Sequence, residues 1–457
     1  MTKEIRMPKV AAHYPRMIAL LLGGLVLSQA VAAETNVWKF DFGPGKIASG
    51  HVRVPLAAAY SKSLGYGFMG TNATPPFLFA VDVPEGNYRV TVTLGDATGP
   101  TTNTIKAEAR RLMVENVETK KGKFATRTFL VNVRRPGLRS GGRVRLKKDE
   151  LDGHLDWDDQ LTLEFNGARP GVAAVVIEKV DNVPVIYIAG DSTVCDQGKE
   201  PWCAWGQMLP RFLDSGIVVA NHAESGESLK SFSGEKRNEK VFETLKAGDY
   251  LFIQFGHNDQ KPGGAHADAF TTYEELLKQD IAVARARQAY PVLVTSVNRR
   301  TFDETGRIQN SLGDYPEAVR QVAKEENVPL IDLNAMSKIL YDTLGPEESI
   351  KLFVHFPANT FPGQEKELKD DTHFTAYGAY EIARCVVEGI RTSIPDLKRH
   401  LAADVKPFDP AKPDAFGSLV LPRSRLSRLE TEPGEASTHP VTTHDDGAAT
   451  DVSTKNP

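Results

Sequence analysis

Two patterns of hydrophobic and polar positions divide the chain. In the first half, short runs alternate apolar and polar side chains, most clearly in residues 38–42 and 88–94, and this period of two is typical of half-buried strands. Further segments of this kind are residues 111–117, 126–133, 161–165 and 172–177. Turns rich in Gly, Pro, Asn and Asp separate the runs, so residues 34–180 are predicted to form a β-sandwich domain.

Beyond residue 184, apolar strands alternate with amphipathic helices. Apolar runs occupy residues 185–189, 217–220, 250–255, 292–297 and 329–333. Helical periodicity covers residues 273–288, 315–326 and 375–390. Strands that are separated by helices pack as a parallel sheet with helices on both faces, so residues 181–405 are predicted to form a three-layer α/β domain with five parallel strands.

The two ends of the chain have a different composition. Residues 1–33 combine basic side chains, an apolar stretch at 17–27 and the small-residue sequence Ala-Val-Ala at 30–32, which is the pattern of a secretory signal peptide. The apolar stretch is shorter than the ~20 residues that span a bilayer, although an uncleaved anchor is the alternative. We therefore expect a secreted or periplasmic protein. Residues 406–429 are expected to form an extended strap and residues 430–457 a disordered tail.

Composition excludes several classes of partner and site. The 457 residues are 41% hydrophobic and 25% charged, with a formal net charge of -4, so neither nucleic acid nor an anionic membrane is an expected partner. The chain has no CxxC sequence, which argues against a cysteine-rich zinc site. Of the three cysteines, Cys195 and Cys203 bracket the turn after Ser192. The sequence allows either a disulfide between them or two free thiols.

The first candidate for chemistry is the sequence Gly190-Asp191-Ser192, which ends the first strand of the α/β half. Gly190 allows a sharp turn that would present the Ser192 hydroxyl outside the carboxyl end of the strand, where open α/β sheets carry their sites. A serine in this position is also a common helix cap. Taken alone, the segment leaves a nucleophile and a cap as alternatives.

Two further segments follow the second and third strands. Gly226, within residues 221–228, would let a backbone N–H approach a substrate oxygen closely, with a simple turn as the alternative. Asn258, in the sequence Gly-His-Asn-Asp, carries an amide that can donate to a developing oxyanion. We interpret the neighbouring His257 as a packed or supporting residue rather than as the catalytic base.

A histidine late in the chain is the better candidate for the base. Asp370 precedes His373 by three positions, so its carboxylate can accept the Nδ1 proton and leave Nε2 free to take the proton of a serine. These residues come just before the last amphipathic helix. The alternative is that Asp370, Asp371 and Thr375 cap this helix and that His373 is solvated.

In order and position, the four segments resemble the SGNH, or GDSL-type, hydrolase superfamily. The likeness extends to the rhamnogalacturonan acetylesterase family of carbohydrate esterases through GDSTV at 190–194, WGQML at 205–209, NHA at 221–223, GHND at 256–259, LGDYP at 312–316 and DTHF at 371–374. The β-rich half is similar to an amino-terminal module of some bacterial members, with FDFG at 40–43. The resemblance implies a flavodoxin-like five-stranded sheet preceded by a galactose-binding-like sandwich.

The resemblance also implies a role for each candidate residue. Ser192 would be the nucleophile, His373 the general base and Asp370 the carboxylate that orients it. The oxyanion hole would consist of the Ser192 N–H, the Gly226 N–H and the Asn258 side-chain amide. The implied mechanism is transfer of an acetyl group through an acetyl-enzyme, and no metal or organic cofactor is expected.

The expected substrate is an O-acetylated plant cell-wall polysaccharide, with rhamnogalacturonan or another pectin first and acetylated xylan second. Glu227 stands where family members often have arginine, which weakens the pectic assignment. A lipase- or thioesterase-like enzyme is one alternative, against which Trp202 and Trp205 argue weakly. A non-catalytic glycan-binding protein is another, although every triad and oxyanion position holds a competent residue. Whether the sandwich binds glycan or only packs is open.

Overall fold

The computed structural model describes residues 36–70, 75–151, 155–361 and 363–424. The predicted signal peptide, residues 1–33, and the predicted disordered tail, residues 430–457, lie outside these ranges. Within them, no helix is both long enough and apolar enough to cross a membrane.

Ten strands build the β-rich half. One sheet has the order β2-β1-β10-β5-β8 and the other the order β3-β4-β9-β6-β7, and all their pairings except the parallel pair β1–β2 are antiparallel. The strands are β1 Val37–Asp41, β2 Val52–Arg53, β3 Tyr66–Met69, β4 Phe77–Asp82, β5 Gly86–Gly95, β6 Thr101–Ala107, β7 Arg111–Thr119, β8 Phe124–Val133, β9 Gln160–Arg169 and β10 Val172–Lys179. Buried side chains of both sheets, including Phe40, Val90 and Phe79, share one core. The predicted β-sandwich is confirmed.

The hydrophobic pattern identified six of these ten strands. It missed β4 because four consecutive buried positions remove the alternation of a half-buried strand. It missed β6 because that strand, TTNTIKA, is mostly polar although it is buried at six of its seven positions.

The second half is built on a parallel sheet of five strands in the order β12-β11-β13-β14-β15. These are β11 Val185–Gly190, β12 Val218–Asn221, β13 Tyr250–Gln254, β14 Tyr290–Val294 and β15 Leu330–Ile331. The helices are α1 Lys148–Leu151, which lies in the β-rich half, and α2 Trp205–Met208, α3 Leu229–Gly234, α4 Arg237–Thr244, α5 Glu274–Ala286, α6 Tyr315–Glu325, α7 Leu333–Glu348, α8 Ala376–Ser393 and α9 Pro395–Lys398. The predicted three-layer, flavodoxin-like sheet is confirmed.

Strand β11 shows why the strands of this sheet have continuous apolar sequences. Ile186 and Ile188 point into the core that α8 covers, whereas Val185, Tyr187 and Ala189 point into the core on the opposite face, which α5 and α6 cover. Since both faces are covered, every position of the strand is buried.

A two-stranded antiparallel hairpin precedes α8 and was not predicted. It pairs β16 Phe353–Phe356 with β17 Leu368–Phe374, and β17 is mostly polar, so it gives no strand pattern. Thr375 caps α8 through an N–H···O bond from Gly378. Asp370 and Asp371 lie within β17 rather than at the helix end, so the capping interpretation holds for Thr375 alone.

The described part of the predicted strap, up to residue 424, contains no helix or strand and contacts both halves of the chain. On the sandwich side, Lys106 Nζ donates to Pro422 O and to Ser424 Oγ. On the α/β side, the hydroxyl of Tyr377 in α8 donates to Asp414 O.

Candidate active site

The turn after β11 presents the serine. Asp191 holds this turn because its Oδ1 accepts hydrogen bonds from Thr193 N at 2.9 Å and Thr193 Oγ1 at 2.7 Å. A Cβ on Gly190 would lie 2.8 Å from Val194 Cγ2 and 3.0 Å from the carbonyl oxygen of Gln254, so only glycine fits here. No helix begins in the turn, and Ser192 therefore does not act as a helix cap.

Two side chains from late in the chain, those of His373 and Asp370, complete a hydrogen-bonded row with Ser192. The Nε2 atom of His373 lies 2.7 Å from Ser192 Oγ, and its Nδ1 atom lies 2.7 Å from Asp370 Oδ2. The second carboxylate oxygen of Asp370 accepts the backbone N–H groups of Thr372 at 2.9 Å and His373 at 3.0 Å. This is the arrangement of a Ser-His-Asp triad, with both contacts within hydrogen-bond range.

The surroundings of Asp370 favour its ionised form. Burial by itself would raise the pKa of this carboxyl, but the hydrogen bond and charge interaction with His373, and the two backbone N–H groups, lower it to about 2. Trp202 adds a longer indole N–H contact of 3.4 Å to Oδ2. An ionised Asp370 accepts the Nδ1 proton of His373, and this leaves Nε2 as the acceptor for the Ser192 hydroxyl.

The predicted oxyanion donors lie on the loops after β11, β12 and β13, and the last two of these loops touch each other. Gly226 follows β12 with φ of 80°, a left-handed conformation that favours glycine. Asn258 Nδ2 donates to the carbonyl oxygen of Glu227 at 2.9 Å, which leaves its second amide hydrogen for another acceptor. Within the described part of the chain, the backbone N–H groups of Ser192 and Gly226 donate no hydrogen bond. All three donors are therefore available to a substrate oxygen.

The comparison with known proteins agrees with this geometry. Residues 188–379 match the GDSL-like lipase/acylhydrolase family. Over 220 residues the chain is 46% identical to the rhamnogalacturonan acetylesterase RhgT of Bacillus subtilis, covering 48% of this chain and 94% of the relative. The chain belongs to the rhamnogalacturonan acetylesterase family. It is a carboxylic ester hydrolase of the SGNH type, as the sequence predicts.

Two more Bacillus subtilis proteins are similar to this acetylesterase-family chain. The probable rhamnogalacturonan acetylesterase YesY is 40% identical over 45% of this chain and 92% of its own length. The uncharacterized esterase YxiM is 28% identical over 84% of this chain and 97% of its own length, so it matches the β-rich half as well. The crystal structure of YxiM gives a TM-score of 0.42 over 79% of this chain and 98% of that one, at 26% identity.

The other residues of the Gly-His-Asn-Asp segment support the active-site loops of the esterase. His257 is buried, with Nδ1 3.2 Å from Asp191 Oδ2, and it has no contact with Ser192 Oγ. Asp259 accepts the N–H groups of Gly256 and Leu229, each at 2.9 Å. It therefore joins the loop after β13 to the first residue of α3. Burial raises the pKa of Asp259 to about 7, against the effect of these N–H donors.

Three residues near the site escaped the sequence analysis. Gln197 Nε2 donates to Ser192 O at 2.9 Å, and Lys261 Nζ donates to Asn258 Oδ1 at 2.7 Å. Each lies within five positions after a motif that the sequence analysis recognised, and this closeness to a motif could have identified them. Lys147, whose ammonium contacts both Ser225 and Glu227, comes from the β-rich half, and no local pattern marks it.

Among the cysteines of the enzyme, Cys195 lies against the active-site turns, with Sγ 3.8 Å from Ser192 O and 3.5 Å from Ser225 Oγ. All three are free and buried, so Cys195 and Cys203 do not form a disulfide. Burial raises the pKa of Cys203 to about 12 and that of Cys195 well above its usual value, and both thiols therefore stay protonated. Among the residues that the structure describes, no cluster of His, Cys, Asp and Glu side chains could hold a metal ion.

Proposed function

We propose that this carbohydrate esterase removes acetyl groups from an O-acetylated plant cell-wall polysaccharide, with rhamnogalacturonan as the first substrate. The observation that carries the proposal is the 2.7 Å contact between Ser192 Oγ and His373 Nε2, with Asp370 on the other ring nitrogen. The names of the relatives RhgT and YesY support the choice of polymer. The basic and apolar pattern of residues 1–33 supports action outside the cytoplasm.

In the first half of the proposed reaction, Ser192 Oγ attacks the acetyl carbonyl carbon while His373 Nε2 takes the hydroxyl proton. The carbonyl electrons move to oxygen, where the N–H groups of Ser192 and Gly226 and the amide of Asn258 stabilise the negative charge. The intermediate collapses, the bond to the sugar oxygen breaks, and Nε2 returns its proton to that oxygen.

In the second half, water attacks the acetyl group that Ser192 now carries. His373 Nε2 accepts a proton from this water and later gives it to the serine oxygen as acetate leaves. Asp370 keeps its negative charge throughout and stabilises the imidazolium that forms twice in the cycle.

The groups around the triad support a sugar substrate. Trp202 is partly exposed beside the triad, with its indole N–H 3.4 Å from Asp370 Oδ2. The exposed Lys261 has ammonium hydrogens beyond the one that it donates to Asn258 Oδ1. Such groups suit sugar rings and hydroxyls better than a long acyl chain. This favours a carbohydrate ester over a lipid or thioester.

The test is acetate release from acetylated rhamnogalacturonan, with acetylated xylan and nitrophenyl acetate in parallel, by the native chain and by Ser192→Ala. We expect release from rhamnogalacturonan that Ser192→Ala abolishes. Release from xylan or nitrophenyl acetate alone would refute the pectic substrate and keep the esterase. Binding of a glycan without release from any of the three would refute the catalytic proposal.

A further inference from the structure

A long connection of the β-rich half reaches the loop that carries Gly226. Residues 134–151 and 155–159, which we call the β8–β9 connector, follow β8 and precede β9. In between they pack on α3 and α4: Arg145 N donates to Glu235 O at 3.0 Å, and Lys240 Nζ donates to Gly137 O at 2.8 Å. The connector therefore covers the helices that follow the Gly226 loop.

Lys147 of the connector contacts the turn that carries Gly226. Its ammonium donates to the carbonyl oxygen of Ser225 and forms an ion pair with the Glu227 carboxylate, so it contacts both neighbours of Gly226. A Cβ on Gly226 would lie 3.6 Å from Lys147 Nζ. The cation thus lies directly beside the turn whose N–H is to face the substrate oxygen.

A buried ion pair holds the connector in this position. Glu150 accepts hydrogen bonds from Arg237 NH2 at 2.5 Å and Arg237 NH1 at 3.1 Å, and both side chains are almost completely buried. Glu150 also accepts the backbone N–H of Lys147 at 2.8 Å. Burial, and then the charge of Glu150, raise the pKa of the neighbouring Glu224 well above its usual value. The backbone of Lys147 is therefore tied to a buried ion pair.

Glu227 links Lys147 to Asn258, the side-chain donor of the predicted oxyanion hole. Its side chain is buried, with 1% exposed, and besides Lys147 it accepts the Ser231 hydroxyl at 2.5 Å. Its backbone carbonyl accepts the Asn258 amide. Among the described residues, Lys147 makes the ion pair of this carboxylate, and Arg237 acts on it only at longer range. Without Lys147 the buried charge would lose its direct partner, and the loop would have to move to hydrate it.

We propose that Lys147 is a positioning residue for the oxyanion hole, through which the β-rich half orients the Gly226 and Asn258 donors. Lys147 acts through the loop and does not touch the reacting atoms. The proposal rests on the catalytic role of Ser192 given above. It also gives a role to Glu227: the negative charge at this position is neutralised by a lysine from the other half of the chain.

The test measures hydrolysis of nitrophenyl acetate by the full chain and by its variants, with thermal unfolding in parallel. Displacement of an oxyanion donor slows the chemical step, so we expect kcat of Lys147→Met to fall roughly 10- to 100-fold and KM to change little. Lys147→Arg keeps a cation that can donate to both oxygens, so it should recover most of the lost kcat. The matched control is Lys148→Met, at the next residue, which is exposed; its kcat should equal that of the native chain.

Two results would overturn the role of Lys147. One is native kcat in Lys147→Met, whatever happens to its melting temperature. The other applies if Lys147→Met fails to fold: it is native kcat in the double variant Lys147→Met/Glu227→Gln, which has no unpaired carboxylate at position 227 but still lacks the donor to Ser225 O. Hydrolysis that persists in Ser192→Ala would instead refute the proposed mechanism.

Discussion

Replacing Asp370 with asparagine tests the triad at a single atom. In the native site, Oδ1 accepts the N–H groups of Thr372 and His373 and Oδ2 accepts from His373 Nδ1. The asparagine oxygen would keep the two backbone donors, so its NH₂ group would face Nδ1. Nδ1 must then be the acceptor, and the imidazole proton moves to Nε2, which can no longer take the proton of Ser192.

Two effects set the size of the loss. At 1.36 kcal/mol per pKa unit, the fall in the pKa of Asp370 from 3.8 to about 2 corresponds to about 2 kcal/mol of preference for the carboxylate in this site. The wrong tautomer of His373 adds to the loss, because Nε2, the nitrogen that must accept the Ser192 proton, would already carry a proton. The same substitution in another serine hydrolase costs about 10⁴ in kcat, and we expect a loss of about 10³ to 10⁴ here.

The assay is kcat for nitrophenyl acetate near neutral pH, and the control is Asp371→Asn. Asp371 is the adjacent carboxylate, but it contacts Arg300 and His355, each at 2.9 Å, and not His373. We expect near-native kcat in the control. A Asp370→Asn variant that retains more than about a tenth of native kcat, or a control that loses as much as the variant, would refute the tautomer argument.

Four further predictions follow from the same contacts. Asn258→Ala removes an oxyanion donor, so kcat should fall about 10²- to 10³-fold with KM nearly unchanged, and steady-state kinetics on nitrophenyl acetate would contradict this if KM rose instead. Gly190→Ala forces a Cβ against Val194 and should cost about 1 to 3 kcal/mol of unfolding free energy in urea titration, whereas an unchanged midpoint would refute the close packing. Arg237→Met leaves Glu150 buried without its partner and should cost about 3 to 5 kcal/mol, more than the double variant Arg237→Met/Glu150→Leu measured in the same titration. The pKa of Asp370 is lowered in the fold, so its carboxylate stabilises the fold above pH ~4, and this contribution of about 2 kcal/mol is lost as the pH falls towards 2. The difference in unfolding free energy between the native chain and Asp370→Asn should therefore shrink over that interval. A difference that does not depend on pH would contradict the lowered pKa.

The architecture was largely predictable because burial leaves a local mark on the sequence. Strands covered on both faces, such as β11, appear as uncharged runs, and half-buried strands such as β5 appear as alternation. The same rule explains the failures. Strand β4 is buried at four consecutive positions, and β6 and β17 are mostly polar. None of the three therefore shows the alternation of apolar and polar residues that identifies a half-buried strand.

The sequence by itself determined the two-part plan of the chain, the parallel sheet and the identity of the candidate residues Ser192, Gly226, Asn258, Asp370 and His373. Motifs sufficed for these because each lies next to a strand or helix that marks its place. The tertiary structure alone decided the contacts between them, the free state of Cys195 and Cys203, and the position of Lys147 beside Gly226. The physical reason is distance along the chain. Local periodicity reports whether a side chain is buried, but which distant side chain it meets depends on how the sheets, helices and connector pack.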